Sequence, residues 1–190
     1  KFTLAAMNSK SQQEFLVGEK IYLRGVEAGD LNAEYQSWFN DAEVCRFNSH
    51  HRFPNYPQSM QDYYDTVIKN QHHLILAIID KETDAHIGNL SLQDIATIDR
   101  HAEFAIIVGN KNFWGRGVGQ EAGRLIIDHG FQALNLQRIY CGTTEDNVAM
   151  QKLAESLGFK KEGVARQAIF KNGTYRDIFL YGLLKDESRK

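Results

Sequence analysis

The spacing of apolar residues changes along the chain, and each change predicts a different kind of element. Residues 20–26 (KIYLRGV) alternate as a strand does, with Tyr22 and the stem of Arg24 on one face. Asp30 then stands as a helix N-cap ahead of Leu31, Tyr35, Trp38 and Phe39, which recur at helical spacing. A short helical stretch is expected over residues 42–47 and a longer one over 59–69. Between them lies a loop, 48–57, that holds both prolines, Pro54 and Pro57. From residue 73 the period switches to two. HLILAIID at 73–80, the run 86–94 and HAEFAIIV at 101–108 are short β-rich stretches divided by polar turns, which predicts two consecutive hairpins. The helical period returns over 117–134, with Val118, Ala122, Leu125, Ile126 and His129 along one side. A strand at 138–143, a helix at 149–157 and a hairpin of 159–170 with 175–184 complete the chain. Asn172-Gly173 joins that hairpin, and both positions tolerate the positive φ a tight turn needs. This order predicts a mixed α/β sheet: an antiparallel half, a crossover helix, a parallel strand, a helix and a closing hairpin.

Composition narrows the class without assigning a function. The 190 residues suffice for one domain with a core of its own. Residues 18–185 read as that domain, 1–17 as a polar arm in which Met7 offers a native start, and 186–190 as a charged tail. Lys and Arg total 22 against 24 Asp and Glu, a net charge of -2. That balance argues against a broad nucleic-acid surface, because phosphate binding draws on clustered cations. No apolar run approaches the roughly 20 residues of a membrane helix, and the first residues lack the continuous apolar stretch of a secretory signal. Cys45 and Cys141 suit reduced thiols in a cytoplasmic protein.

The stretch most informative about chemistry is FWGRGVGQEA at 113–122, between a strand and the long helix. Gly115, Gly117 and Gly119 keep side chains away from the backbone where the helix begins. The N–H groups of its first turn and the positive end of the helix dipole then form a ready pyrophosphate site, to which Arg116 adds a cation. A glycine-rich turn with no ligand is the competing reading. Two other phosphate motifs fail: the dinucleotide fingerprint needs glycine where Gln120 stands, and no Gly-Lys-Ser/Thr of a Walker loop is present there. His50, His51, His72 and His73 match no metal-ligand spacing, so no metal site is expected.

HAEFAIIV, FWGRGVGQEA, DHGFQALNLQRIYC, EDNVAMQKLAESLGFKKEG and KNGTYRDIFLYGLL together resemble, in order, the motifs of the GNAT acetyltransferases. The similarity is greatest to the branch holding the ribosomal-protein N-terminal acetyltransferases and spermidine acetyltransferase, and it covers about residues 18–185. It implies a single GNAT domain of the α/β (α+β) class. Its sheet would be mixed and mostly antiparallel, with helices on both faces and a splay between the fourth and fifth strands, 101–108 and 138–143. It also implies acetyl-CoA as acyl donor, with no metal.

The resemblance assigns roles to particular residues. Gly117 and Gly119 fall in the glycine positions of the pyrophosphate loop, with Gly115, Arg116 and Val118 beside them; Trp114 stands where Gln or Arg is usual. The backbone of Ile106, Ile107 and Val108 would pair with the pantetheine arm, and Asn147 would bond the cofactor. Glu103 matches the glutamate used as base or substrate anchor. The position that often supplies a tyrosine acid is Ala154, leaving water, Tyr140 or Tyr175 to protonate the leaving thiolate. Trp38, Asn40 and Tyr56 are assigned to the acceptor side. The expected function is acetyl transfer to an amine of a peptide N-terminus or of a small molecule: a polyamine, an amino sugar or an antibiotic. A CoA-binding or sensing domain without turnover is the alternative, favoured by Ala154 and opposed by Glu103. The expected partners are acetyl-CoA and the amine, with neither membrane nor nucleic acid. The resemblance leaves a homo-oligomer open, since the family runs from monomers to dodecamers.

Overall fold

The computed structural model describes residues 13–188. Eight strands form one sheet: β1 (Leu16–Val17), β2 (Ile21–Gly25), β3 (Leu74–Asp80), β4 (His86–Ala96), β5 (His101–Val108), β6 (Arg138–Thr144), β7 (Lys160–Lys171) and β8 (Thr174–Leu184). Their order across the sheet is β1-β2-β3-β4-β5-β6-β8-β7, and every neighbouring pair is antiparallel except β5 and β6. The helices are α1 (Ala33–Asn40), α2 (Pro57–Tyr63, continued by a π turn, Tyr64–Ile68), α3 (Val118–Gln132) and α4 (Val148–Ser156). The mixed, mostly antiparallel sheet expected from the residues is therefore present. No helix among the described residues is long and apolar enough to cross a membrane.

Alternation along the strands sends side chains to two different layers. On one face Leu23, Ile78, Leu90, Leu92 and Phe104 bury themselves beneath α3 and α4, against Ala122, Ile126 and Ala154. On the other, Tyr22, Ile75, Ala77 and Ile79 pack under the π turn through Tyr64, Val67 and Ile68. A third cluster, Tyr35, Trp38 and Met60, joins α1 to α2. Helices thus cover both faces. The α3 side is the drier of the two, and the α1–α2 side leaves room over β4 and β5.

Several sequence expectations shift locally. Asp30 does not cap α1. It closes a 3₁₀ turn and forms a buried ion pair with Arg24 at 2.7 Å, while the cap is Asn32, whose side chain accepts from the Tyr35 N–H. Residues 42–47 form successive turns, not a helix. Asp41 explains this: its side chain accepts from the Glu43 and Val44 N–H groups and also pairs with Lys111, holding the segment to the loop before α3. Leu16 and Val17, expected in the arm, add the edge strand β1. The hairpin turn is as read, with Asn172 and Gly173 at φ 51 and 80.

Candidate active site

β5 and β6 pair over only three positions, His101 with Arg138, Ala102 with Ile139 and Glu103 with Tyr140. Beyond Glu103 the two strands part. β6 stays in register with β8 to Thr144, and β5 stays in register with β4 from Glu103 to Val108. The splay expected between 101–108 and 138–143 is present, with Glu103 at its apex. Which backbone groups face the gap follows from the ladder. The Arg100 carbonyl accepts from the Arg138 N–H. Backbone direction alternates along a strand, so the N–H and C=O of Ile106 and Val108 point into the gap, while those of Ile107 point to β4. The Val108 carbonyl is already engaged, accepting from the Trp114 indole N–H at 2.7 Å. Ile106 is thus left as the backbone pair open to a ligand. Ile107 contributes its side chain to a cavity on the opposite side.

The glycine loop closes the far end of the gap. Gly117 is the residue before the first turn of α3, with φ 81, and no side chain caps that helix. A glycine there reaches a left-handed φ at little cost, and the first-turn N–H groups have no intrahelical partner. Val118 is buried in the core, so only its backbone faces the loop. Gly119 approaches Ile106 and Leu153 closely enough that an added Cβ would sit 3.6 Å and 3.7 Å from their methyls. The loop's own side chains are held back: Trp114 by Val108, and Arg116 by its guanidinium lying 5.3 Å from the Phe113 ring centroid. Asn147 caps α4 by accepting from the Met150 N–H at 3.2 Å, which leaves its amide NH₂ as the donor for a ligand. These groups can hold an anion and an extended arm running towards Glu103.

Across β5, on the α1–α2 side, lies a cavity of about 360 Å³. Ala105, Ile106 and Ile107 form its floor, Asn89, Ser91 and Gln93 of β4 one wall, and Tyr35, Phe39, Ser59 and Tyr63 its cover. Glu103 projects to this same face, paired with Gln93 on one side and Tyr140 on the other. Burial, aided by the charge of Asp94, pushes the Glu103 carboxyl above its ordinary value, which suits a base. Burial also raises the Tyr140 hydroxyl, with Glu103 adding to it, and pushes the Cys141 thiol up to about 12. Cys141 is therefore a core residue and not a nucleophile. Tyr175 is 63 % exposed on β8 and packs on Phe170.

None of the three residues assigned to the acceptor side lines this cavity. Trp38 is buried behind it, packed against Gly109 and edge-on to His86; Asn40 exchanges two hydrogen bonds with the backbone of Asn55; Tyr56 stands exposed at the start of α2. Their neighbours do the lining. Sequence reasoning missed Asn89, Ser91 and Gln93, although the signal was there: in HIGNLSLQD the polar positions alternate with leucines on a central strand, so both faces are inside. It also missed the buried chain of polar contacts that holds the cavity wall. Arg24 grips Asp30 through both terminal guanidinium nitrogens at 2.7 Å. His86 lies 3.7 Å from Asp30 and donates to Asn89 Oδ1 at 2.7 Å, and Asn89 donates to the Tyr35 hydroxyl at 3.0 Å.

The comparisons agree with this geometry. Residues 20–160 match the model of the acetyltransferase (GNAT) domain. The chain belongs to the GNAT acetyltransferase family. An uncharacterized N-acetyltransferase, p20 of Bacillus licheniformis, is 34% identical over 92% of this chain and 98% of its own length. The spermidine N(1)-acetyltransferase of Escherichia coli K12 is 30% identical over 83% of this chain and 82% of its own. Among solved structures, spermidine N-acetyltransferase from Vibrio cholerae in complex with CoA and spermine superposes with a TM-score of 0.83 at 25% identity. That match covers 90% of this chain and 99% of the other. In this GNAT chain the parted strands lie at Ile106 and the glycine-led helix starts at Gly117.

Proposed function

We propose that this GNAT chain transfers the acetyl group of acetyl-CoA to a primary amine held in the cavity over β5. The observation that carries the reading is a single strand serving two chambers. The backbone of Ile106 faces the gap that leads to the glycine loop, while Ala105 and Ile107 line the cavity and Glu103 lies on the same face of the strand beside it. Pyrophosphate sits against the first turn of α3 and beside Arg116, the pantetheine arm lies along Ile106, and the Asn147 amide donates to it. Glu103 takes a proton from the acceptor ammonium, directly or through one water. The neutral nitrogen then attacks the thioester carbonyl. A C–N bond forms, the C–S bond breaks, and the products are the N-acetylated amine and CoA thiol. In this reading the Ile106 N–H donates to the oxyanion between these steps.

Ala154 is fully buried in the core beneath α3, so that position supplies no acid. Tyr140, beside Glu103, is the phenol nearest the apex by register, and a thiol is acidic enough to leave as thiolate. A cytoplasmic location suits the reading, since acetyl-CoA is its donor and both cysteines are free. The test is release of CoA thiol from acetyl-CoA on addition of amines, with CoA affinity measured by calorimetry on the same protein. Amine-dependent thiol release is expected. CoA binding without release under any amine would favour the non-catalytic alternative.

A further inference from the structure

We propose that the acceptor is a monoamine with an aromatic or branched apolar body, and not a polyamine; this rests on the transferase reading above. The decisive feature is what the cavity lacks. Its lining carries aromatic rings (Tyr35, Phe39, Tyr63), apolar groups (Met60, Ile75) and the neutral polar groups of Asn48, Asn55, Asn89, Ser91 and Gln93, and among the described residues no carboxylate lines it. Residues 1–12 and 189–190 contain neither Asp nor Glu, so no acidic side chain comes from there. Glu103, at the apex, is the carboxylate that the strand register brings to this face beside the floor; Asp94, exposed in the irregular stretch after Gln93, acts on its charge from outside the lining.

A polyamine such as spermidine presents its reacting amine neutral and still carries further ammonium groups along its length. Each needs a carboxylate or water when the chain enters a concave site. Glu103 can serve the reacting nitrogen and nothing beyond it. The charge behind the loop that lines the cavity is a cation: Lys171 donates to the carbonyls of Asn48 and His50, at 3.0 Å and 2.9 Å. Two of the lining rings already meet other rings. Tyr35 stacks on His86 at 5.7 Å, and Phe39 meets Tyr35 and His50 in edge contacts. What remains is an apolar slot with amide and hydroxyl groups at its walls, which suits a flat or branched body bearing one amine. The chain would then differ in acceptor from the spermidine acetyltransferases it resembles, with the donor half of the site unchanged.

The experiment compares kcat/KM for phenethylamine and leucinamide with that for spermidine and spermine, using acetyl-CoA, the full chain and thiol release, alongside calorimetric CoA affinity. The monoamines are expected to exceed both polyamines by about 100-fold or more, because one unpaired buried ammonium costs at least that much in binding. Ser59, at the exposed rim, gives a second arm. Ser59→Glu is expected to raise spermidine kcat/KM by about 10-fold, less at high salt, without changing CoA affinity. Polyamine turnover equal to or above that of the monoamines in the wild-type chain would overturn the inference and leave the transferase reading standing. CoA binding with no turnover of any of the four amines would instead remove the transferase reading, and the inference with it.

Discussion

In the proposed reaction Glu103 is the base, so its replacement is the sharpest residue-scale test. Its carboxyl is raised by burial and by Asp94, which brings a base closer to working pH. An amine with a pKa near that of lysine, about 10, is mostly protonated at pH 7, so removal of the base hurts most at low pH. Glu103→Gln is expected to lower kcat/KM by about 100-fold at pH 7, with the deficit shrinking towards pH 9 as the acceptor deprotonates itself. Full activity of the variant across that range would make Glu103 a structural carboxylate. Asp30 makes the opposite case, a carboxylate whose charge is structural. Burial pushes its pKa up, but the hydrogen bonds from Arg24 and the Glu27 N–H outweigh this, and the net shift is downward. A carboxyl depressed by folding contributes stability above its unfolded pKa, about 3.9, and that stability is lost as pH falls through the folded value. Asp30→Asn leaves Arg24 charged and unpaired at 3% exposure, which is expected to cost about 3–5 kcal/mol in urea unfolding at pH 7. The same variant should flatten the loss of stability below about pH 4. A variant as stable as the wild type would show that the pair is dispensable.

Elements were legible in the sequence where the signal is local, and illegible where a distant partner decides. β5 was readable to the residue from HAEFAIIV, and α3 to within two residues, because alternation and amphipathic spacing are carried by the segment itself. Asp30 was misread as a cap because its true partner, Arg24, sits on a strand six residues back and the pair is held in a buried layer that no local pattern marks. The turns at 42–47 depend on Asp41 meeting Lys111 across the fold. The glycine loop and the start of α3, the proposed donor half, were legible because they are contiguous in sequence. The acceptor cavity was not, since β4, β5, α1 and α2 each contribute a few residues to it. α4 offers an element-scale prediction that separates structure from binding. The Asn147 side-chain oxygen caps the helix, and its NH₂ is the group proposed to donate to the cofactor. Asn147→Ala loses both, and is expected to cost about 1 kcal/mol of stability together with CoA affinity. Asn147→Asp keeps the capping oxygen, and should restore thermal stability while CoA binding stays weak. If Asp restored both, the residue would be a cap and nothing more.

At the scale of the whole molecule, the sheet is parted where a continuous one would be strongest. Three residue pairs hold β5 to β6, and past Glu103 the Ile106 backbone faces a gap where a strand would otherwise stand. The two halves are bridged over the α3 face, where β5's Phe104 meets Phe159 in a tilted ring contact at 6.1 Å and α3 packs on α4 with Gly123 facing Leu157. An extended ligand lying in the gap and anchored at the glycine loop supplies the missing edge contacts, and it binds only the folded chain. Mass action then fixes the effect on stability. At a ligand concentration of about 100 times Kd the gain is about 2.7 kcal/mol. For a chain of this size each kcal/mol moves Tm by about 2–4 °C, so CoA is expected to raise Tm by about 5–10 °C. Gly117→Val tests whether the gain runs through the loop. An added Cβ at Gly117 meets no atom within 4 Å, so the obstacle is not crowding but the φ of 81, which a β-branched residue adopts only under strain. The variant should relax that backbone, misalign the first-turn N–H groups, and melt at nearly the same temperature with or without CoA. Its own Tm without ligand, compared with that of Gly117→Ala, measures the strain separately. A full CoA shift surviving in Gly117→Val would place the pyrophosphate elsewhere and leave the parted strands without their proposed ligand.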